Sequence, residues 1–369
     1  MDSGVNDDQK LLMETTARFV EEVCPLQRVR DGWYRDPACA AEYRRRAGDL
    51  GWFSFLVPES MGGGSVSGNG VLDAALIAYE RGRLLQPGPF VPTNVVAHAV
   101  AVAGSDEQQA KMLPSLVSGE ETAAWVPPGA VRAVRTRSGY ALSGKASPVQ
   151  DADTASWMLV AAESDEGKLQ FLVDGSTAGI SVTPLESLDV TRTFAEVSFD
   201  RTEVLATAVV ASEVVGSGDS RDLIERELAL ACVLTAAESV GAMDRDFATA
   251  LQYAKDRIAF GRPIGSFQAV KHLLADTSLL LEMSKATTSA AAGSLGAGDG
   301  YGVEAASIAK AFVGDCGIDL AQNCFQVFGG IGFTWEHDQH LYLRRITTDA
   351  ALYGDPACHR ERLCEKAGI

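Results

Sequence analysis

The chain has 369 residues, 46% of them hydrophobic, and a formal charge of −17; this suits two or three lobes with cores of their own and argues against nucleic acid or an anionic membrane as general partners, because both need a basic face. No apolar run reaches the length of a membrane span, and Asp2, Asp7 and Asp8 break the basic-then-apolar order of a secretory signal. The cysteines number seven, an odd count scattered through helical patterns, which reads as reduced and cytoplasmic; Cys358-His359 with Cys364 lacks a second ligand pair at zinc spacing, so no metal is expected.

Apolar positions recur at helical spacing from Asp8 to Val23 and stop at Pro25, and the pattern returns from Glu42 to Leu50 before Gly51. The glycine-rich loop Pro58 to Gly64 has neither the Lys-Ser/Thr nor the preceding strand of a phosphate loop. Residues 68–103 give two helical runs broken at Gln86-Pro87-Gly88-Pro89, with His98 on an apolar face as a packing histidine, and Asp106 to Val117 reads as one more helix. From about Glu121 the period becomes alternating. Runs starting at Ala130, Tyr140, Trp157, Leu169 and Phe194 are separated by Gly, Asp and Ser turns and predict strands. After Asp219 the helical period returns almost to the end, with a flexible link at Gly296 to Gly300. The expected organisation is a helical domain over 1–120, a β domain over 121–215 and a helical bundle over 216–369.

The most informative stretch runs from Tyr253 to Gln268. A helix through Tyr253 and Arg257 would deliver a cation to its C-terminal end, Gly261 would permit a sharp exit, Pro263 would forbid continuation, and a new helix would start at about Ser266. A guanidinium fixed beside a helix break suits a diphosphate, which it grips in a planar fork. By itself Arg257 also reads as a plain helix-end cation.

The string Arg257-x-x-Phe260-Gly261-x-Pro263-Ile264-x-x-Phe267-Gln268, followed by His272 and Ala275-Asp276, resembles a signature of the flavin-dependent acyl-CoA dehydrogenases. Gln326-x-x-Gly329-Gly330-Ile331-Gly332-Phe333-Thr334-x-Glu336, with Arg344-Arg345 beyond it, is similar to the second C-terminal signature of that family. The resemblance covers nearly the whole chain. It implies an α+β multidomain fold: an N-terminal helical domain, a middle β-barrel-like domain and a C-terminal four-helix bundle. It also implies FAD, an acyl-CoA substrate, α,β-dehydrogenation, and electron-transfer flavoprotein as acceptor.

The family's reaction needs a carboxylate base. By register with the resemblance, its two known glutamate positions fall on Tyr353 and Ala231, and neither can serve, since a phenol titrates near pH 10. The segments that hold the flavin ring within its own subunit fall on Pro148-Val149-Gln150, on a shortened Trp125 to Gly129, and on Asp355-Pro356-Ala357. The residues that the family extends to a neighbour's FAD are all retained: Arg257, Phe260, Gln268, Gln326, Gly329 and Gly330. A chain that keeps what it gives and lacks what it needs resembles the non-catalytic subunit of the actinobacterial α2β2 enzymes acting on bulky acyl-CoA thioesters such as steroid side chains. Two other readings stand beside it. One is an autonomous dehydrogenase using Glu227, one turn before Ala231, with Glu225 and Glu238 on the same helix; the other is a non-redox acyl-CoA-binding or scaffolding protein. Asp349, Asp355 and His359 are poor replacement catalysts: Asp355 reads as a turn start and His359 as part of a cationic helix end with Arg360 and Arg362. Arg344 and Arg345 read equally as structural ion pairs or as ligand and interface contacts.

Overall fold

The computed structural model of the chain describes residues 5–212 and 220–369. Six helices come first: α1 (Asp7–Val23), α2 (Leu26–Arg30), α3 (Pro37–Asp49), α4 (Gly70–Arg83), α5 (Phe90–Ala103) and α6 (Asp106–Val117). Their starts follow from local chemistry. Asn6 with Gln9 opens α1 and Ser105 with Gln108 opens α6 as reciprocal capping boxes, while Asp36 caps α3 ahead of Pro37 at its first position.

Seven strands follow: β1 (Ala123–Arg135), β2 (Gly139–Gln150), β3 (Trp157–Ser164), β4 (Gly167–Asp174), β5 (Ile180–Leu185), β6 (Phe194–Leu205) and β7 (Val209–Ser212). They form one sheet in the order β5-β6-β2-β1-β3-β4-β7, in which only β1 and β3 run parallel. Alternate residues serve two cores. Trp125, Leu159 and Leu172 join the helical core, while Val126, Val160 and Phe171 build a core on the other side of the sheet. Pro127, Pro128 and Gly129 lie where the β1–β3 register shifts between Val126 and Val131, so the prolines sit in an irregularity of the ladder. The strands β5 and β7 escape the sequence pattern. Both are edges, and β5 is six residues long and mostly exposed, so its alternation is confined to Ile180 and Val182.

The last part contains α7 (Ser220–Asp256), α8 (Gln268–Ala297), α9 (Gly302–Phe328), α10 (Gln339–Ala351) and α11 (Pro356–Ala367). Gly298, in the left-handed region, ends α8 within the anticipated link. The middle of α7 is buried on all sides from Ala229 to Met243 and is the axis of the molecule. It meets α4 through two reciprocal glycines. A β carbon at Gly241 would lie 1.9 Å from the Tyr79 carbonyl oxygen, and one at Gly82 would lie 1.9 Å from that of Glu238.

The Arg257 region departs from the sequence expectation. Helix α7 stops at Asp256, Arg257 stands just past it, and a two-strand hairpin of Ile258–Ala259 with Arg262–Pro263 follows. Phe260 and Gly261 form its turn with φ of +55° and +78°, the left-handed pair that matches the twist of a tight hairpin. A short 3-10 turn at Ile264–Ser266 then leads into α8 at Gln268, two residues later than the composition suggests.

Candidate active site

Ala231 and Tyr353 converge. Ala231 is buried and Tyr353 half-buried, and the Cys232 thiol lies 3.9 Å from the Tyr353 carbonyl oxygen. The Tyr353 ring packs against Trp125 of β1 with centroids 5.6 Å apart, and its hydroxyl donates to Gln150 Oε1 at 3.3 Å. Trp125 and Gln150 belong to the segments matched above with the family's flavin-ring contacts. Burial raises the Tyr353 phenol above its usual range, so near neutral pH it offers even less phenolate to act as a base than a free tyrosine.

The backbone at Tyr353 is held in the left-handed region with φ of +59°, a conformation that costs a non-glycine residue and persists only where neighbours enforce it. Those neighbours are visible. Lys310 Nζ donates to the Ala350 and Gly354 carbonyls at 2.8 and 3.0 Å, and His359 Nε2 lies 3.1 Å from the Tyr353 carbonyl. His359 is therefore buried, against the expectation of a cationic helix-end surface, and burial with the nearby Lys310 charge pushes its pKa down to about 4. Asp355 is the N-cap of α11, in keeping with a turn start.

Glu227 is fully buried and accepts a hydrogen bond from Gln170 of β4. Burial pushes its carboxyl up to about 8, while the adjacent Gln170 and Trp125 side chains pull the other way. It joins α7 to the sheet. The other two glutamates of α7 are paired: Glu225 with Arg362, and Glu238 with Arg81 at 3.1 Å and with Arg192.

Glu238 belongs to a buried ionic assembly that sequence patterning does not reveal. Arg192, between β5 and β6, also meets Asp349 of α10 at 2.9 Å, and Arg345 of α10 meets Asp189 at 2.8 Å and Thr191 at 2.5 Å. Arg345 is thus a structural ion-pair partner, whereas Arg344 is half-buried and donates to the Leu188 carbonyl. Burial pushes Asp349 up to about 7 against the pull of Arg192 and Arg345. His98 packs as expected: buried, 3.4 Å from the Leu56 carbonyl, and pushed down to about 4 by burial.

The retained motif residues lie together at the opposite kind of surface. Helices α7 and α9 finish at the same end of the bundle, where the Tyr253 and Phe328 rings approach to 5.2 Å, and α8 starts there. Arg257, Gln268, Gln326 and Gly330 are exposed at this end, and no carboxylate among the described residues pairs with Arg257. Phe260 is 95% exposed, Phe333 78% and Trp335 60%. Gly329 has φ of +62°, and a side chain at Gly329 or Gly330 would meet nothing within 4 Å, so the backbone there is open to a close approach. The interior group and this open group are separate features of the fold. Among the described residues no cluster of three or more His, Cys, Asp or Glu could hold a metal ion, and no helix is long and apolar enough to cross a membrane.

Comparison with known proteins bears on this geometry. Residues 6–120 match the acyl-CoA dehydrogenase N-terminal domain and residues 221–367 the C-terminal domain. The chain is 36% identical over 300 residues to acyl-CoA dehydrogenase FadE34 of Mycobacterium tuberculosis; the match takes in 80% of this chain and 38% of that protein, so the chain spans well under half of that relative. It is 31% identical to acyl-CoA dehydrogenase FadE27 of the same organism, across 91% of each. Among solved structures it superposes on a chain of the ChsE4-ChsE5 complex from Mycobacterium tuberculosis with a TM-score of 0.88 and 25% identity, covering 100% of this chain and 99% of that one. With the helical, sheet and helical order and both C-terminal signatures in place, these matches make the chain a member of the acyl-CoA dehydrogenase family of oxidoreductases.

Proposed function

We propose that this chain is the non-catalytic subunit of a heteromeric acyl-CoA dehydrogenase, of α2β2 form, that completes the FAD site of a partner chain carrying the catalytic glutamate. The observation that carries the reading is the contrast between its two regions. Where the flavin ring of its own subunit would lie, Trp125 and Tyr353 pack on each other and Gln150 takes the tyrosine hydroxyl. At the bundle end Arg257 has no carboxylate partner among the described residues, Phe260 is held out in a strained turn, and the Gly329-Gly330 backbone is open.

The bundle end fits the diphosphate and adenosine portion of FAD, and the interior does not fit its ring. Arg257 would pair with diphosphate oxygens in a bidentate fork, Gln268 and Gln326 would donate amide hydrogens, and Phe260 would offer an aromatic face. When bound, FAD supplies the hydride acceptor for α,β-dehydrogenation of the thioester. This chain's residues would bind and orient it, while proton abstraction falls to the partner. The acyl group we assign is a bulky one, such as a steroid side chain, with electron-transfer flavoprotein as acceptor. The resemblance to the two-chain enzymes supports these assignments.

The autonomous reading through Glu227 is disfavoured by its full burial against Gln170. A non-redox binding protein would have no need of the open Arg257 end. The test is to purify the chain alone and co-expressed with candidate dehydrogenase partners, measuring FAD per chain and flavin bleaching by acyl-CoA. A colourless lone chain, about one FAD per pair, and loss of that FAD on Arg257→Ala are expected. A yellow lone chain that turns over substrate with one FAD per subunit would overturn the proposal.

A further inference from the structure

A cavity of about 850 Å³ opens between the N-terminal helices and the sheet. Its size falls within the range of small-molecule sites. The segment from Tyr34 through α3 forms one wall, the Pro87 to Pro89 loop a second, and the residues on either side of Arg192 a third. Tyr34, Tyr43, Pro37, Pro89 and Phe194 give these walls flat, rigid apolar faces.

One cation in this lining has a guanidinium nitrogen shielded from solvent without a hydrogen bond among the described residues. Arg44 of α3 is half-buried, and its Nε is shielded from solvent with no hydrogen bond. Burial pushes its guanidinium below the ordinary arginine range. No carboxylate forms an ion pair with it among the described residues, although the chain has 49 acidic residues against 32 basic. Asp151, the carboxyl that acts on it, is already committed, accepting from Thr193 Oγ1 at 2.7 Å and from Gln150 Nε2 at 3.1 Å. A guanidinium nitrogen shielded from water without a hydrogen bond is costly, and an anion arriving from the cavity would remove that cost.

The surroundings narrow the anion. Asp151, Asp153, Glu186 and Asp189 also line the cavity, all from the sheet domain side. A polyphosphate would meet four carboxylates there, whereas a single carboxylate turned toward α3 would meet Arg44, with Arg35 of the same wall nearby. We propose that this cavity binds an apolar carboxylic acid of fused-ring size as its free anion, with the carboxylate on Arg44 and the rings between the tyrosine and proline walls. The site lies apart from the bundle end and does not depend on the FAD-sharing reading.

The probes are 1-pyrenebutyrate and its neutral counterpart 1-pyrenebutanol, titrated by pyrene fluorescence against the purified chain, alone or in the assembly with which it co-purifies. The acid is expected to bind at least about tenfold more tightly than the alcohol, the scale of one charge-assisted hydrogen-bonded pair. Arg44→Gln should abolish that preference and leave the alcohol unchanged, with folding checked by circular dichroism. Should that variant fail to fold, Arg44→Lys keeps the charge and stem but loses the fork, and should reduce the preference. Ala40→Trp, which fills the cavity from α3, should abolish binding of both probes. Equal binding of acid and alcohol, no binding of either, a preference unchanged in the Arg44 variants, or tighter binding of the coenzyme A thioester than of the free acid would each overturn the proposal.

Discussion

The Tyr353 ring lies against Trp125 with centroids 5.6 Å apart, so a residue of the turn after α10 and a residue of the sheet close on each other across the domain boundary. The contact joins two segments 228 positions apart in sequence, the difference between 353 and 125. It sits on a backbone that Lys310 and His359 hold in place from the helical side.

That arrangement predicts the outcome of restoring a carboxylate. Tyr353→Glu in the lone chain should yield a colourless protein, because Trp125, Pro148 and the missing loop residues still deny the flavin ring its bed. The visible absorbance of the purified variant, after incubation with FAD, is the measurement. A yellow, acyl-CoA-bleached variant would mean that only the base had been lost.

Arg192 holds two buried carboxylates, those of Glu238 and Asp349. Arg192→Met strands Asp349 and leaves Glu238 to Arg81 alone, and removal of one member of a buried pair costs about 3–5 kcal/mol. Asp349 is already pushed up to about 7, so without Arg192 it would retain its proton to higher pH. The unfolded chain releases that proton near pH 4, and the deficit of the variant should therefore grow as pH rises. Denaturant midpoints at about pH 6 and about pH 8 check the sign.

Glu227 gives a second pH dependence. Its carboxyl, pushed by burial up to about 8 in the folded chain from the ordinary 4.5, is protonated in the folded state and ionised in the unfolded state between those limits. Its contribution to stability is therefore greatest below the lower value and is lost progressively as pH rises toward the upper one, flattening beyond it. Glu227→Gln cannot ionise and still offers an oxygen to Gln170. Relative to wild type it should gain up to a few kcal/mol between about pH 5 and pH 8, read as a widening difference in chemical-denaturation midpoints.

The reciprocal glycines between α4 and α7 leave no room for a methyl group. Gly241→Ala would drive its β carbon onto the Tyr79 carbonyl, and helix propensity alone would have favoured the change. Loss of at least about 1–3 kcal/mol is expected, the scale of overpacking, and thermal denaturation would detect it. Gly300→Ala, in open space between α8 and α9, is the control and should leave the melting temperature nearly unchanged.

The sequence by itself determined the order of helices, sheet and helices, because periods of 3.6 and 2 record which faces are buried whatever the partner. It also disclosed both family signatures and the poor chemistry at Tyr353 and Ala231, since these are matters of residue type and short spacing. Local geometry was legible less well: the ends of α7 and α8 moved by a residue or two because the Phe260-Gly261 hairpin depends on a left-handed phenylalanine that composition does not announce. The tertiary structure alone decided that His359 is buried, that Glu227 faces Gln170, that Arg345 and Arg192 hold carboxylates from other segments, and that Arg44 forms no ion pair among the described residues. Charges separated by tens to hundreds of residues acquire meaning only when folding fixes their distances and removes the water between them.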